Sequence, residues 1–150
     1  MKPTRHQARE VALQILYRYD APTQESASAA EGTPGFSART TLDELNRHFD
    51  HFKVPAEIRG FAAELVAGTL RDLSSLDEVL EKHTANWKLS RMSTVDRNLL
   101  RMALFEMKNF PDTPASVVID EAIELAKQFG TQESPAFING VLDAMKSIRQ

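Results

Sequence analysis

Between Ser93 and Phe110 the chain reads STVDRNLLRMALFEMKNF, a stretch whose apolar side chains cover most of the circumference when plotted at about 100° per residue. Val95, Leu99, Met102, Ala103 and Phe110 share one side; Leu100, Leu104 and Met107 widen it on one flank, and Phe105 sits on the other. Thr94, Arg97, Arg101 and Lys108 are left as a narrow polar seam. A helix that is apolar nearly all round belongs in the middle of a bundle, so the remaining chain has to supply helices to surround it. Ser93 and Asp96 stand at capping-box spacing, which predicts two satisfied backbone amides at its start. Glu106 falls inside the apolar arc, where an unpaired carboxylate would be costly. It is therefore expected to pair with a neighbouring helix terminus or an arginine.

The surrounding helices are visible in the same periodicity. A first helix is predicted over residues 3 to 20, with Ala8, Val11, Ala12, Ile15, Leu16 and Tyr19 as its core stripe. A second begins near Thr41, where Thr41 and Glu44 make a further capping box, and buries Leu42, Leu45, Phe49 and Phe52. A third starts at Pro55 and runs Ile58, Phe61, Ala62, Leu65, Val66, Thr69 and Leu73 down one face. Ser74 and Asp77 are expected to cap a short fourth helix carrying Leu76, Val79 and Leu80, and Trp87 and Leu89 lie in a connector. After the central helix, Thr113 reads as an N-cap with Pro114 behind it. The sixth helix, ASVVIDEAIELAKQF, follows, and Gly130 is its C-cap. Ser134-Pro135 opens a seventh, with Ile138, Val141, Leu142, Met145 and Ile148 inward and Phe137 on the flank. The fold class expected is all-α: about seven helices in two small packed bundles, with no alternating strand pattern. Residues 21 to 40 differ: fifteen of the twenty are Ala, Ser, Thr, Pro or Gly, too little apolar surface to order a segment. They are expected to form a flexible loop inside one domain spanning residues 1 to 150, with Phe36 as its one anchor.

The outward face of the first helix is unusual. Lys2, Arg5, His6, Arg9, Leu13 and Tyr17 fall within a sector of roughly 120°, with Glu10 on its edge as the nearby acid. Guanidinium groups beside a stacking ring suit single-stranded RNA, whose phosphates and splayed bases need both. The competing reading is a solvated helix face whose Leu13 and Tyr17 pack on another helix. His48 and His51 stand one turn apart, a spacing open to a metal ion. No Glu-x-x-His signature and no third ligand accompany them, so no metal is expected. The absence of cysteine removes thiolate ligands, disulfides and a Cys nucleophile, and fits a reducing compartment. No Gly-rich phosphate loop, Gly-x-Ser-x-Gly or zincin motif occurs, so neither an enzyme nor a cofactor is called for. The charged opening MKPTRHQARE is no signal peptide, and no run approaches the ~20 apolar residues of a membrane helix. A cytoplasmic protein is expected. The net charge of −3 gives no general case for nucleic acid, so a local basic strip has to carry that case.

Four strings sharpen the reading. ARE-x-A-x-Q-x-LY at 8 to 17, VDRNLLRMALFEM at 95 to 107, VVIDEAIELAKQFG at 117 to 130 and FINGVLD at 137 to 143 resemble, in order and separation, the NusB transcription antitermination family. The resemblance covers the chain except for the loop at 21 to 40. It implies two small helical bundles, a partnership with NusE, a small-subunit ribosomal protein, and binding of boxA elements in nascent ribosomal RNA beside RNA polymerase. It further implies that RNA meets Lys2, Arg5, His6, Arg9 and Tyr17 on the first helix, then Glu133, Ser134 and Phe137 at the start of the last. Asp96 is the position it suggests for the NusE surface. The run Arg5-His6-Gln7-Ala8-Arg9 is thinner in arginine than family members often show, which implies weaker binding and a shallower salt dependence. A helical scaffold or homodimer that masks this face is the alternative. An RNA methyltransferase is a third reading, but no cofactor-binding α/β segment occurs within these residues.

Overall fold

Helix propensity and apolar periodicity are realised as seven α helices among the described residues, which in this computed structural model are 4–20, 42–84 and 88–149. They are α1 (Arg5–Asp20), α2 (Leu42–His51), α3 (Ala56–Arg71), α4 (Leu73–His83), α5 (Thr94–Asn109), α6 (Ala115–Phe129) and α7 (Ser134–Ala144). Short 3-10 turns occupy Leu89–Arg91 and Lys146–Arg149. No strand occurs among the described residues. The expectations for Lys2, Phe36, Thr41, Trp87 and the segment 21–40 lie outside the described residues.

The chain divides into two compact units, one ending at Arg71 and the other beginning at Asp72. In the first, α3 packs against both α1 and α2. Ala8, Ala12, Ile15 and Leu16 of α1 are buried, as are Ile58, Ala62, Leu65 and Val66 of α3. The α2 stripe holds at Leu45 and Phe49, but Phe52 lies beyond the helix end and is exposed. Leu73 does not extend the α3 face; it opens α4.

The turn between α2 and α3 shows why the first unit needs unusual backbone. Lys53 has φ 54°, in the left-handed region. Lys53 N–H donates to Asp50 O at 3.2 Å and Val54 N–H to Phe49 O at 2.8 Å, the paired bonds of a Schellman end. Arg59 reinforces it from α3: its Nε donates to Val54 O at 2.8 Å and its Nη1 to Asp50 Oδ1 at 2.7 Å. A lysine carries a Cβ penalty at this φ that glycine avoids. Lys53→Gly is expected to stabilise the unit by about 0.5–1 kcal/mol. The urea midpoint should rise with no change in slope.

In the second unit α5 touches α4, α6 and α7 and is the central helix of this bundle. Every residue from Asn98 to Met107 is buried. Full burial of leucines such as Leu99, Leu100 and Leu104 stabilises by about 1.5–3 kcal/mol each. Ser93 caps the helix, its Oγ accepting from Asp96 N–H at 3.1 Å. The returning arm of the box is not made by Asp96 Oδ1, which is buried with no partner among the described residues. Arg101 is no part of a solvated seam. Its Nε and Nη2 donate to the two carboxylate oxygens of Asp77 at 2.7 and 2.9 Å, and Nη1 donates to Asn98 Oδ1 at 3.3 Å. Asp77 is thereby turned to α5 instead of capping α4, whose N-cap is Asp72. Glu106, 1% exposed, does not stand alone; it too is engaged. Pro114, not Thr113, takes the N-cap position of α6.

Candidate nucleic-acid interface

The basic helix α1 begins in a reciprocal cap that its periodicity conceals. Thr4 N–H donates to Gln7 Oε1 at 2.9 Å, and Gln7 N–H donates to Thr4 Oγ1 at 3.3 Å. Thr-x-x-Gln is the sequence signal for this box, and it sets the first turn that carries Arg5 and His6.

The strip on α1 separates into two kinds of residue. Arg5 and Tyr17 are exposed and His6 is half-buried. Arg9 and Leu13 are buried, at 4% and 2% exposure. The cause lies on α3, where the half-buried Phe61 ring receives both guanidiniums: Arg5 Cζ is 4.5 Å from its centroid and Arg9 Cζ 5.4 Å. A cation over a ring face is worth about 0.5–2 kcal/mol, most when desolvated. Phe61 therefore holds two positive groups close together, one inside the unit and one facing water. Sequence periodicity assigned Phe61 to the core stripe and gave no sign of this role.

In the second unit, the start of α7 and the start of α5 meet in a cleft of about 320 Å³. It is lined by Arg91, Met92, Ser93, Asp96, Glu133 and Phe137. Glu133 and Phe137 are thus brought together with Asp96, whereas Ser134 is buried out of the cleft. The Ser134 hydroxyl accepts from Thr131 N–H at 2.9 Å, and Thr131 Oγ1 donates to Glu133 Oε2 at 3.2 Å. Ser134 so shapes the turn that presents Glu133. Arg91 and Met92 have no signal in the periodicity, because they come from the 3-10 turn and its C-cap. Arg97 of α5 holds that turn by donating from Nη1 to Met92 O at 3.4 Å and Leu89 O at 3.5 Å.

Among the described residues no three His, Asp or Glu side chains converge as metal ligands would. Nor is any helix there long and apolar enough to cross a membrane.

The architecture is that of an all-α protein whose polar and aromatic groups are offered on open surfaces. The profile of the NusB family matches residues 6–147. The Transcription antitermination protein NusB of Desulfotalea psychrophila is 45% identical over 147 residues, covering 95% of each chain. A crystal form of T. maritima NusB superposes with a TM-score of 0.77 at 29% identity, covering 98% of this chain and 93% of that one. A structure of antitermination factors NusB and NusE in complex with dsRNA superposes at 0.72 and 24% identity, covering 96% of each, and shows the shared fold. The chain belongs to the NusB family.

Proposed function

We propose that this chain is a transcription antitermination factor, a non-catalytic cytoplasmic adaptor working as a single RNA-binding module. It pairs with a NusE-type ribosomal protein, takes up boxA-type elements of nascent ribosomal RNA and helps assemble the antitermination complex on RNA polymerase. The observation that carries this reading is the near full-length kinship with the Desulfotalea antitermination protein. The exposed guanidinium of Arg5 and exposed ring of Tyr17 support it, as one supplies phosphate pairing and the other base stacking. In this proposal Lys2, Arg5, His6 and Tyr17 meet the RNA directly. Arg9, buried over Phe61, positions the ring on which Arg5 rests. Glu133 and Phe137 form the second contact, with Ser134 as the buttress behind them, and Asp96 belongs to the NusE surface.

The test is fluorescence anisotropy with a short boxA-like RNA and a scrambled control, with and without NusE, at two salt concentrations. Specific binding strengthened by NusE is expected. Tyr17→Ala should weaken it by roughly tenfold, the scale of one lost base stack. Arg5→Ala should also lower the salt slope by about one. Equal, weak binding to both RNAs, unmoved by NusE, would overturn the proposal.

A further inference from the structure

A second cleft, in the first unit, is lined by Arg18 of α1 and by Glu44, Arg47, His48 and His51 of α2, with a volume of about 430 Å³. We infer that this cleft is a phosphate-binding site, with the Arg18 and Arg47 guanidiniums and the His48 and His51 imidazoles as its donors.

The balance of groups favours an anion. Among the described residues two guanidiniums and two imidazoles face one carboxylate, and that carboxylate is engaged: Tyr19 Oη–H donates to Glu44 Oε2 at 3.2 Å. Asp50, the acid nearer the end of α2, is paired with Arg59 at 2.7 Å. Among the described residues no carboxylate forms an ion pair with Arg18 or Arg47. Arg18, His48 and His51 are held by rings instead. Arg18 Cζ lies 5.5 Å from the Phe52 centroid, His51 meets Phe52 edge-on at 4.8 Å, and His48 meets Tyr19 edge-on at 6.0 Å. Aromatic contacts orient a cation without neutralising it, which leaves its charge for a ligand. Arginine forks then match phosphate oxygens two at a time. This also gives the exposed Phe52 a function that a core position would not require.

The site's own field points the same way. Burial, followed by the Arg18 charge, holds the His48 imidazole below its ordinary pKa, with His51 and Arg47 adding to the effect and Glu44 opposing it. Tyr19 of α1 meets His48 through its ring, and Asp50 is compensated by Arg59 of α3. A bound anion would reverse the sign of this field and favour the imidazolium. Binding should therefore strengthen as the pH falls. An RNA phosphodiester and free inorganic phosphate present the same oxyanion chemistry. Arg18 lies roughly 20 Å along α1 from Arg5, so the cleft is separate from the arginine end of the strip and adjoins its Tyr17 end.

The test follows the imidazole NMR signals of the whole chain during titration with inorganic phosphate against chloride at matched ionic strength. Sulfate, whose charge does not change over the range, gives the comparison between pH 6.0 and 7.5. Saturable shifts of His48 and His51 are expected, with sulfate binding about fivefold tighter at the lower pH. Arg47→Gln, a change at an exposed position, should weaken binding by about tenfold. Displacement of phosphate by an RNA oligonucleotide identifies the backbone as the source; phosphate that RNA does not displace identifies the free ion. Either result supports the site. No saturable phosphate effect at pH 6.0 overturns it, and binding equal at both pH values overturns the histidines' part. Because phosphate is titrated without RNA or NusE, failure here is distinct from failure of the antitermination reading.

Discussion

Asp77→Ala is expected to destabilise the second unit by about 3 kcal/mol, the cost of leaving a buried charge without its partner. The Arg101 side chain is 8% exposed, and the carboxylate accepts two of its guanidinium bonds at 2.7 and 2.9 Å. Its contact with Asn98 Oδ1 is longer, at 3.3 Å, and Asn98 is itself committed through Nδ2 to Thr94 O at 2.8 Å. Asn98 cannot replace the lost carboxylate. The converse substitution should be milder. Asp77 is 26% exposed, so Arg101→Met leaves a carboxylate that water can reach, and methionine refills the space along the stem. The double variant should recover much of the Asp77→Ala loss. Urea unfolding of the four proteins gives the coupling directly. Equal single losses that simply add would mean that the pair behaves as a surface salt bridge, worth less than about 1 kcal/mol.

The same residue marks where sequence reading stops. Helix α5 was legible in place and in centrality, because an apolar pattern around most of its circumference and a Ser93 cap are local signals. Arg101 was not, since periodicity records a long polar side chain and says nothing of an acid 24 residues earlier that draws it inward. Asp77 failed as a predicted cap for the same reason. Boundary shifts elsewhere are short at helix starts, as at Pro114 for Thr113, where two neighbouring residues both have good helix-start chemistry; the largest is at the end of α7, where the stripe expected to reach Ile148 stops as an α helix at Ala144.

The candidate site divides along the same line. The α1 strip was visible as a sector of basic residues, and Arg5 and Tyr17 remain open in the structure. The burial of Arg9 depends on Phe61, which comes from another helix more than fifty residues later. The spacing of His48 and His51 marks them as a pair and raises a metal, which the missing third ligand then argues against. Their neighbour Arg47 and the more distant Arg18 turn that spacing into a surface for an anion. Local spacing registers which groups share a face; the sign of charge they meet is set by the helix packed opposite.

Gly130→Ala is expected to cost the second unit about 3 kcal/mol, through steric crowding and not through backbone strain. A glycine ending a helix suggests the left-handed cap. Here φ is −94° and ψ −165°, ordinary extended geometry, and Gly130 N–H still closes α6 on Ala126 O at 2.9 Å. The constraint is space. A Cβ at this position would lie 2.5 Å from Ser134 Oγ, 2.6 Å from Ser134 Cβ and 2.8 Å from Ala126 O. Ser134 is fully buried, so it cannot swing into solvent, and any shift lengthens its bond from Thr131 N–H. Overpacking of this kind costs about 1–3 kcal/mol, and the lost hydrogen bond adds about 1 kcal/mol. Gly130→Asn separates the two explanations. Asparagine tolerates the left-handed region, so it would rescue a conformational requirement; against Ser134 it should be at least as damaging as alanine. Ser134→Gly placed in the Gly130→Ala background should restore only part of the stability, because the Ala126 oxygen remains in the way. Urea midpoints for this set decide the matter: an alanine variant within about 0.5 kcal/mol of the parent would show that the α6–α7 turn yields at little cost. Since that turn carries Glu133 and Phe137 into the cleft beside Asp96, a measured loss would also bind the proposed second RNA contact to one close approach between Gly130 and Ser134.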